Sequence, residues 1–196
     1  MQHVILLGKP GSGKGTLAKQ LLANDTDFIH LSTGDVFREH MSKRTDLGIE
    51  IEDIMNSGAM VNDELTIAVV EDFIESNKAS RKRIIFDGFP RNDSQAIWLL
   101  QTLFDDETCQ APIAIVIDAD DDVCVERIML RATELNRKED KNLDVVFRRL
   151  RDYEDVTNDC VSVLEDVLVD TFIKIDGNKS SKEVFKDVHS LLIKPS

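Results

Sequence analysis

Short apolar runs alternate with segments of helical periodicity along most of the chain. The apolar runs lie at residues 3–7, 28–31, 83–87, 113–118 and 171–176, and helical patterns lie at 14–24, 95–104 and 121–131. Several runs are apolar almost throughout, which is typical of strands that are covered on both faces. The alternation predicts an α/β fold with a five-stranded parallel sheet flanked by helices on both faces. Ligands of such a sheet bind beyond the carboxyl ends of its strands.

Two stretches interrupt this alternation. Residues 32–61 have a helical pattern without a strand, and residues 131–142 are polar and charged. We interpret both as excursions from one domain over residues 1–196, and as candidates for moving parts. A plain helical crossover and a solvated loop are the alternatives. Near the end of the chain, Ser180-Ser-Lys-Glu183 has the pattern of a capping box, which predicts the start of a last helix.

The charge balance narrows the ligands that the chain can bind. It carries 24 Lys and Arg against 37 Asp and Glu, a formal net charge of −13. An acidic surface repels nucleic acid and anionic lipid, so neither is an expected partner. Arginines that are clustered in such a chain indicate a small anionic ligand. Pairing with a neighbouring carboxylate is the default interpretation of any single arginine.

The cysteines and the lengths of the apolar runs indicate the compartment. Cys109, Cys124 and Cys160 lie far apart without a CxxC pair, which predicts neither a zinc site nor a disulfide framework. No run is long enough to cross a membrane or to form the apolar core of a signal peptide. We therefore expect a cytoplasmic protein without zinc.

A glycine-rich segment after the first predicted strand carries the strongest chemical signal. It reads Gly8-Lys-Pro-Gly-Ser-Gly-Lys14-Gly15-Thr16, and the first predicted helix begins within it. Glycines let successive backbone N–H groups point at phosphate oxygens, the helix N-terminus favours anions, and Lys14 adds a full charge. The segment predicts a P-loop that binds a nucleoside triphosphate, with a chance glycine-rich turn as the alternative. The usual pattern has Ser or Thr directly after the lysine, where this chain has Gly15.

Three collinear motifs resemble the nucleoside monophosphate kinases. The inserted Gly15 gives the loop the form that it has in this family. The segment 31–38 resembles the family's acceptor-binding segment, and 87–91 (Asp-Gly-Phe-Pro-Arg) resembles its second signature, with Gln95 at the family's spacing. The resemblance extends from residue 4 to about residue 179. It implies a P-loop NTPase-type fold with a helical AMP-binding insertion and a short lid, here residues 32–61 and 131–142.

Two positions favour the adenylate kinases within this family. Thr33 and Gln95 stand where enzymes that accept AMP carry these residues, whereas UMP and CMP kinases tend to carry alanine and asparagine. A glutamine amide can both donate to and accept from a purine edge. As isolated residues, Thr33 could merely cap a helix and Gln95 could be a surface amide.

The resemblance implies a reversible, Mg²⁺-dependent transfer of the γ-phosphoryl group of ATP to AMP, with ATP, AMP and ADP as the small-molecule partners of a monomer. The implied catalytic cations are Lys14, Arg38, Arg91, Arg131, Arg137 and Arg149. The implied ATP-binding residues are Gly11, Ser12, Gly13, Lys14, Gly15, Thr16, Arg127, Arg131 and Lys179. The implied AMP-binding residues are Thr33, Arg38, Ala59, Met60, Val61, Gly88, Phe89, Pro90, Arg91, Gln95, Arg137 and Arg149.

The implied metal site and the arginine pair have plainer alternatives. Thr16 and Asp87 are implied to hold Mg²⁺, Asp87 through water, with assistance from Asp35. Either aspartate could instead cap the turn that follows it. Arg127 and Arg131 share one helix face because they are four residues apart, and they could face nearby carboxylates rather than a nucleotide.

The predicted lid departs from the family pattern. Asn136 replaces the glycine that usually precedes the lid arginine, and one extra residue follows Arg137. The last catalytic arginine is therefore Arg148 or Arg149, and adjacent helical residues point about 100° apart, so only one can face the site. We choose Arg149 because its spacing to Tyr153 matches the family.

Two other functions compete with AMP phosphorylation. A relative with UMP, CMP or dTMP as acceptor would share the motifs except at positions 33 and 95. A P-loop protein that only binds or senses nucleotide belongs to another class, and the intact set of cations argues against it. A GTP switch would carry Asn-Lys-x-Asp, and Asn178-Lys-Ser-Ser181 lacks the aspartate.

Overall fold

The computed structural model describes residues 1–135 and 140–192 and confirms the predicted five-stranded parallel sheet. The strands are β1 (Gln2–Leu7), β2 (Phe28–Ser32), β3 (Arg83–Asp87), β4 (Gln110–Asp118) and β5 (Phe172–Asp176). Their order is β2-β3-β1-β4-β5, and every neighbouring pair is parallel. All five strands therefore end at one edge of the sheet, which we call the carboxyl edge, and begin at the opposite amino edge.

Helices connect these strands and cover the sheet. Those of the described residues are α1 (Lys14–Asn24), α2 (Thr33–Lys43), α3 (Asp46–Ser57), α4 (Asp63–Asn77), α5 (Asp93–Phe104), α6 (Asp121–Leu135), α7 (Leu143–Asp152), α8 (Asn158–Val167) and α9 (Ser181–Leu192). A π-helical turn, Tyr153–Thr157, joins α7 to α8. Residues 32–61 hold α2 and α3 and no strand beyond the last residue of β2, as their pattern predicts.

The bounds differ from the pattern at a few ends. β4 begins at Gln110, ahead of its apolar run, because Gln110 continues the ladder by pairing with Gln2 of β1. α6 continues to Leu135, past its predicted end, because residues 131–135 contain neither glycine nor proline. The first part of the predicted lid is thus the last turn of a helix, and positions 136–139 lie outside the described residues.

The central strand β1 shows why the apolar runs are nearly continuous. Val4, Ile5 and Leu6 are at most 1% exposed because helices cover both faces of the sheet. Helices α1 and α9 pack on one face through Leu17, Leu21, Val184 and Val188. Helices α4, α5 and α8 pack on the other face through Val70, Ala96, Leu99, Leu103, Cys160 and Leu164.

Side-chain caps set where several helices begin. Ser32, Thr45, Asn62 and Asn92 accept a hydrogen bond from the backbone of the first turn of α2, α3, α4 and α5. The predicted capping box is present: the backbone N–H and the hydroxyl of Ser180 donate to Glu183 Oε2 over 3.0 and 2.6 Å. Such caps satisfy N–H groups that the helix itself leaves unpaired.

Within the described residues, none of the helices has the length and apolar composition that crossing a membrane requires. The three cysteines are free thiols, and Cys124 and Cys160 are buried.

Candidate functional site

A cleft of about 790 Å³ opens at the carboxyl edge of the sheet. Segments that are distant in sequence meet there: the glycine-rich loop after β1, the start of α2, the end of β3, and faces of α6 and α7. Seventeen of the sequence-predicted residues line it: Gly11, Ser12, Gly13, Lys14, Gly15, Thr16, Asp35, Arg38, Met60, Asp87, Gly88, Pro90, Arg91, Arg127, Arg131, Arg149 and Lys179.

Glycine is required in the loop at two positions for different reasons. Gly11 has a φ of +87°, and a Cβ on it would lie 2.4 Å from the backbone oxygen of Cys124 in α6. Gly13 precedes α1 with a φ of +108°, which L-residues with side chains rarely adopt. The loop can therefore curl closely around the start of α1, where unpaired N–H groups favour an anion.

Lys14 lies curled against the loop that carries it. Its Nζ donates to the carbonyl oxygens of Gly8 and Lys9 over 2.6 and 3.0 Å. Burial lowers the pKa of Lys14 to about 8, and the nearby carboxylate of Asp87 only partly offsets this. Ser12 next to it is also buried, and its hydroxyl has no hydrogen-bond partner among the residues described. Both groups would gain from the oxygens of a phosphate.

Arg127 of α6 joins the glycine-rich loop to the loop between β5 and α9. Its guanidinium donates to the carbonyl oxygens of Ser12 (3.3 Å), Gly177 (2.8 Å) and Lys179 (3.1 Å). Among residues 1–135 and 140–192, no carboxylate forms an ion pair with Arg127, in contrast to the alternative interpretation. Lys179 lines the cleft with an exposed side chain whose Nζ donates to Asp187 over 2.9 Å.

Asp87 and Thr16 supply the oxygen atoms that a hard cation prefers. Asp87 ends β3, and its Oδ2 lies 3.4 Å from the position that a Cβ would take on Gly15 of the loop. The same oxygen lies 3.4 Å from Nε2 of His30. Thr16 is exposed in the first turn of α1 and lines the same cleft. A hydroxyl and one carboxylate fit Mg²⁺, which keeps several waters and takes its remaining ligands from substrate phosphates.

The start of α2 contributes a second group of polar residues. Ser32 caps the helix, so the alternative in which Thr33 is only a cap is wrong. The Thr33 hydroxyl instead donates to the carbonyl oxygen of Gly88 over 3.0 Å. Arg38 lines the cleft one turn later, where its Nη2 donates to Asp35 Oδ1 over 2.6 Å.

Arg91 approaches the cleft from the loop after β3. Its Nε donates to the carbonyl oxygen of Gly88 over 2.8 Å, so this carbonyl holds both Thr33 and Arg91. Burial and the positive charge of Arg149 lower the pKa of Arg91 to about 10. The side chain remains a cation at neutral pH, and the arrangement brings positive charges together where an anion can compensate them.

Asp140 holds two of the predicted catalytic arginines. Its side chain is fully buried, and it accepts from Arg131 Nε and Nη2 over 2.8 and 3.0 Å and from Arg149 Nη1 over 2.8 Å. The adjacent Arg148 points elsewhere and lies 3.8 Å from Asp152, with half of its side chain exposed. Asp140 was not predictable, because one carboxylate within a charged run carries no signal of its own.

Gln95 is buried and is not the surface amide of the alternative interpretation. It is 2% exposed. Its Oε1 accepts from the backbone N–H of Arg91 over 2.8 Å, and its Nε2 donates to Asp63 Oδ1 over 2.7 Å. Asn92 donates to both oxygens of the same carboxylate. Neither Asp63 nor Asn92 was among the residues predicted from the sequence.

Of the other residues that were predicted to bind AMP, some line the cleft and others lie in the core. Met60 lines the cleft, whereas Val61 belongs to a small core with Phe37 and Ile51. Phe89 is fully buried. Ala59 directly follows the end of α3, where its N–H donates to the carbonyl oxygen of Ile54 over 3.1 Å. Arg137 lies outside the described residues, and its role stays a prediction.

Known adenylate kinases are similar in sequence to this chain over most of its length. The sequence model of the adenylate kinase family matches residues 6–168. A curated adenylate kinase of Thermoanaerobacter sp. (strain X514) is 34% identical over 216 residues, which cover 97% of this chain and 97% of the relative. One of Prochlorococcus marinus is 41% identical over 166 residues, covering 81% of this chain and 82% of the relative. One of Hydrogenobaculum sp. (strain Y04AAS1) is 31% identical over 215 residues, covering 96% of this chain and 99% of the relative.

Proposed function

The chain belongs to the adenylate kinase family, and from this premise we propose that it transfers the γ-phosphoryl group of ATP to AMP and back, giving two ADP. Residues 32–61 then form the acceptor-binding insertion and residues 131–142 the lid. Thr33 and Gln95 support AMP as the acceptor rather than UMP or CMP.

One observation carries the proposal: groups whose chemistry suits phosphate line one cleft on two sides. The glycine-rich loop with Lys14 lies on one side, and Arg38, Arg91 and Arg149 reach the cleft from α2, from the loop after β3 and from α7. A protein that only held a triphosphate would need the first side alone. Arginines on the second side suit a monophosphate, because the planar guanidinium binds two phosphate oxygens at once.

The reaction requires positioning and charge compensation rather than a protein nucleophile. A phosphate oxygen of AMP forms a bond to the γ-phosphorus as the bond from that phosphorus to the β,γ-bridging oxygen breaks, so ADP is both leaving group and product. Fixed cations compensate the negative charge that spreads over the transferred group. Arg131 and Arg149 suit this role because Asp140 already fixes their direction.

Mg²⁺ is part of the proposal, and the residues present fit it. Thr16 and Asp87 would hold the ion, the aspartate through water, and Mg²⁺ supplies compensation of charge on the β- and γ-phosphates. Asp35, which was implied to assist in holding Mg²⁺, also forms an ion pair with Arg38. We also propose that the protein acts as a monomer in the cytoplasm, where reduced thiols are maintained.

The test is phosphoryl transfer from Mg·ATP to AMP, GMP, CMP, UMP and dTMP, with the product nucleotides resolved chromatographically. We expect AMP to be used with the highest kcat/KM by a wide margin, giving two ADP per ATP consumed. A higher kcat/KM for a pyrimidine monophosphate would contradict the acceptor assignment and leave the reaction class intact. Binding of ATP without transfer to any acceptor would contradict the kinase function itself.

A further inference from the structure

We propose that Asp63 is a positioning residue that makes the acceptor site select a 6-aminopurine over a 6-oxopurine. This inference rests on the proposed function, and it concerns how the Gln95 side chain is oriented. We call Asp63 and the backbone N–H of Arg91 the amide clamp, because both hold the amide group of Gln95.

The amide clamp leaves Gln95 only one orientation. The Arg91 N–H can only donate, so it requires the oxygen of the amide, which it contacts over 2.8 Å. The Asp63 carboxylate can only accept, so it requires the nitrogen, which it contacts over 2.7 Å. Turning the amide by 180° would place two donors together at Arg91 and two acceptors together at Asp63. Because Gln95 is 2% exposed, water could not replace the hydrogen bonds that either mismatch would lose.

Hydrogen bonds also fix the position of the Asp63 carboxylate. It is the first residue of α4, and the Nδ2 of Asn92 donates to its Oδ1 and Oδ2 over 2.9 and 3.1 Å. The other end of the Asn92 amide accepts from the backbone N–H of Gln95 over 2.9 Å. The start of α4 and the start of α5 are therefore joined by a network in which each donor meets an acceptor.

The amide clamp uses half of the bonding capacity of the Gln95 side chain. A primary amide has two N–H groups and two lone pairs, so one N–H and one lone pair remain. Adenine presents a donor at its 6-amino group next to an acceptor at N1, whereas guanine presents an acceptor at O6 next to a donor at N1. An amide of fixed orientation matches only one of these orders for a base in a given position. With AMP as the acceptor, the amide clamp holds the order that matches adenine.

The experiment compares kcat/KM for AMP and for GMP in wild type, Asp63→Ala, Asp63→Asn and Glu64→Ala. Glu64→Ala is the matched control because it removes an exposed carboxylate from the same first turn of α4. Asp63→Ala removes the acceptor for the Gln95 nitrogen. We expect its AMP/GMP ratio to fall about 10-fold or more, the effect of one lost hydrogen bond to a charged group, through a higher KM for AMP at unchanged KM for ATP.

Asp63→Asn should rescue the preference, because its side-chain oxygen can still accept from Gln95 and Asn92. We expect its AMP/GMP ratio, like that of Glu64→Ala, to stay within about twofold of wild type. Equal loss of kcat/KM for both purines in Asp63→Ala would show a merely structural role and overturn the proposal. Preference of the wild type for an acceptor other than AMP would instead contradict the proposed function, so the two failures are distinguishable.

A second measurement keeps the proposal testable if Asp63→Ala does not fold. The side-chain amide resonances of Gln95 in the wild type, assigned by their loss in Gln95→Ala, can be followed by ¹H–¹⁵N NMR. We expect one N–H to be protected from exchange by Asp63 and the other to shift when AMP is added, but not when GMP is added at the same concentration. Rapid exchange of both, or equal shifts with the two nucleotides, would overturn the proposal.

Discussion

The two edges of the sheet carry similar polar residues and use them differently. At the amino edge, His3 in β1 is 4% exposed, its Nδ1 accepts from the backbone N–H of Ile84 over 2.9 Å, and its Nε2 lies 3.2 Å from Cys109 Sγ. Arg83, which begins β3, donates from Nε to the carbonyl oxygen of Gln2 and lies 4.1 Å from the centroid of the Phe28 ring. The protein itself satisfies these groups.

At the carboxyl edge, cations are held by carbonyl oxygens while facing a cleft. Lys14 and Arg91 take their contacts from Gly8, Lys9 and Gly88, and burial lowers the pKa of both. The right-handed crossovers of a parallel sheet also begin their helices at this edge, so the positive helix ends lie there. The cations of the carboxyl edge thus line an open cleft, whereas Arg83 at the amino edge has its contacts within the fold.

The largest expected effect is on activity at the carboxyl edge. Arg91→Ala should lower kcat/KM for the formation of ADP from Mg·ATP and AMP by about 10³-fold, because the transferred phosphoryl group loses a fixed cation. Thermal unfolding should change little, since Arg91 also experiences the charge of Arg149. Initial rates and melting curves on the same preparation check both statements. Near-normal turnover would remove Arg91 from the site.

Two adjacent arginines of α7 allow a test of whether placement in the cleft matters for activity. Arg149 lines the cleft and binds Asp140, whereas Arg148 lies near Asp152 with half of its side chain exposed. Arg149→Ala should lower kcat/KM about 10²-fold, and the matched Arg148→Ala should stay within about twofold of wild type. Steady-state kinetics with AMP as the varied substrate measure kcat/KM for both variants. Equal effects of both substitutions would show that charge alone, and not its placement, matters.

The amino edge should respond to acid through His3. Burial lowers the pKa of His3 to about 4, from 6.5 in an exposed histidine. Between these values the unfolded chain binds a proton that the folded chain does not, so the free energy of unfolding falls as the pH falls. The wild type should lose about 2 kcal/mol more than His3→Asn between pH 7 and pH 4.5. Urea unfolding across this range measures the difference.

Parallel pH profiles of wild type and His3→Asn would contradict the burial effect on His3. Activity at pH 7 provides the comparison with the carboxyl edge. We expect His3→Asn to keep kcat and both KM values within about twofold of wild type, because the residue lies at the edge away from the cleft.

The smallest expected effect is that of Arg83. Arg83→Ala should lower the free energy of unfolding by about 1 kcal/mol, from the lost contacts with the Phe28 ring and the Gln2 carbonyl. Its kcat/KM should remain that of the wild type. Lys82→Ala is the control, because it removes an exposed cation one residue away. A clear loss of kcat/KM in Arg83→Ala, with an unchanged free energy of unfolding, would contradict a purely structural role for this residue at the amino edge.

The parts of the site that were predictable are contiguous in sequence. The glycine-rich loop is a local device in which spacing, glycine and the following helix act together, so its residues line the cleft as expected. The five strands were predictable for a similar reason, since burial on both faces of a parallel sheet leaves a continuous apolar run. The membership of the adenylate kinase family follows from three such contiguous motifs.

Pairings between distant side chains were not predictable. Asp140 and Asp63 lie among other charged and polar residues, and nothing local distinguishes them from a solvated surface. Their importance comes from burial and from their partners: Arg131 and Arg149 for one, Gln95 and Asn92 for the other. The choice between Arg148 and Arg149 likewise depends on how α7 is rotated against the core.

The fold class, the P-loop and the family could be predicted from the sequence alone, because each follows from local periodicity or from a contiguous motif. The pairing of Asp140 with Arg131 and Arg149 and the orientation of the Gln95 amide depend on the tertiary structure. The physical reason is that a hydrogen bond or an ion pair between separate segments tolerates distance errors of only a few tenths of an ångström, and the packing of the whole chain sets those distances.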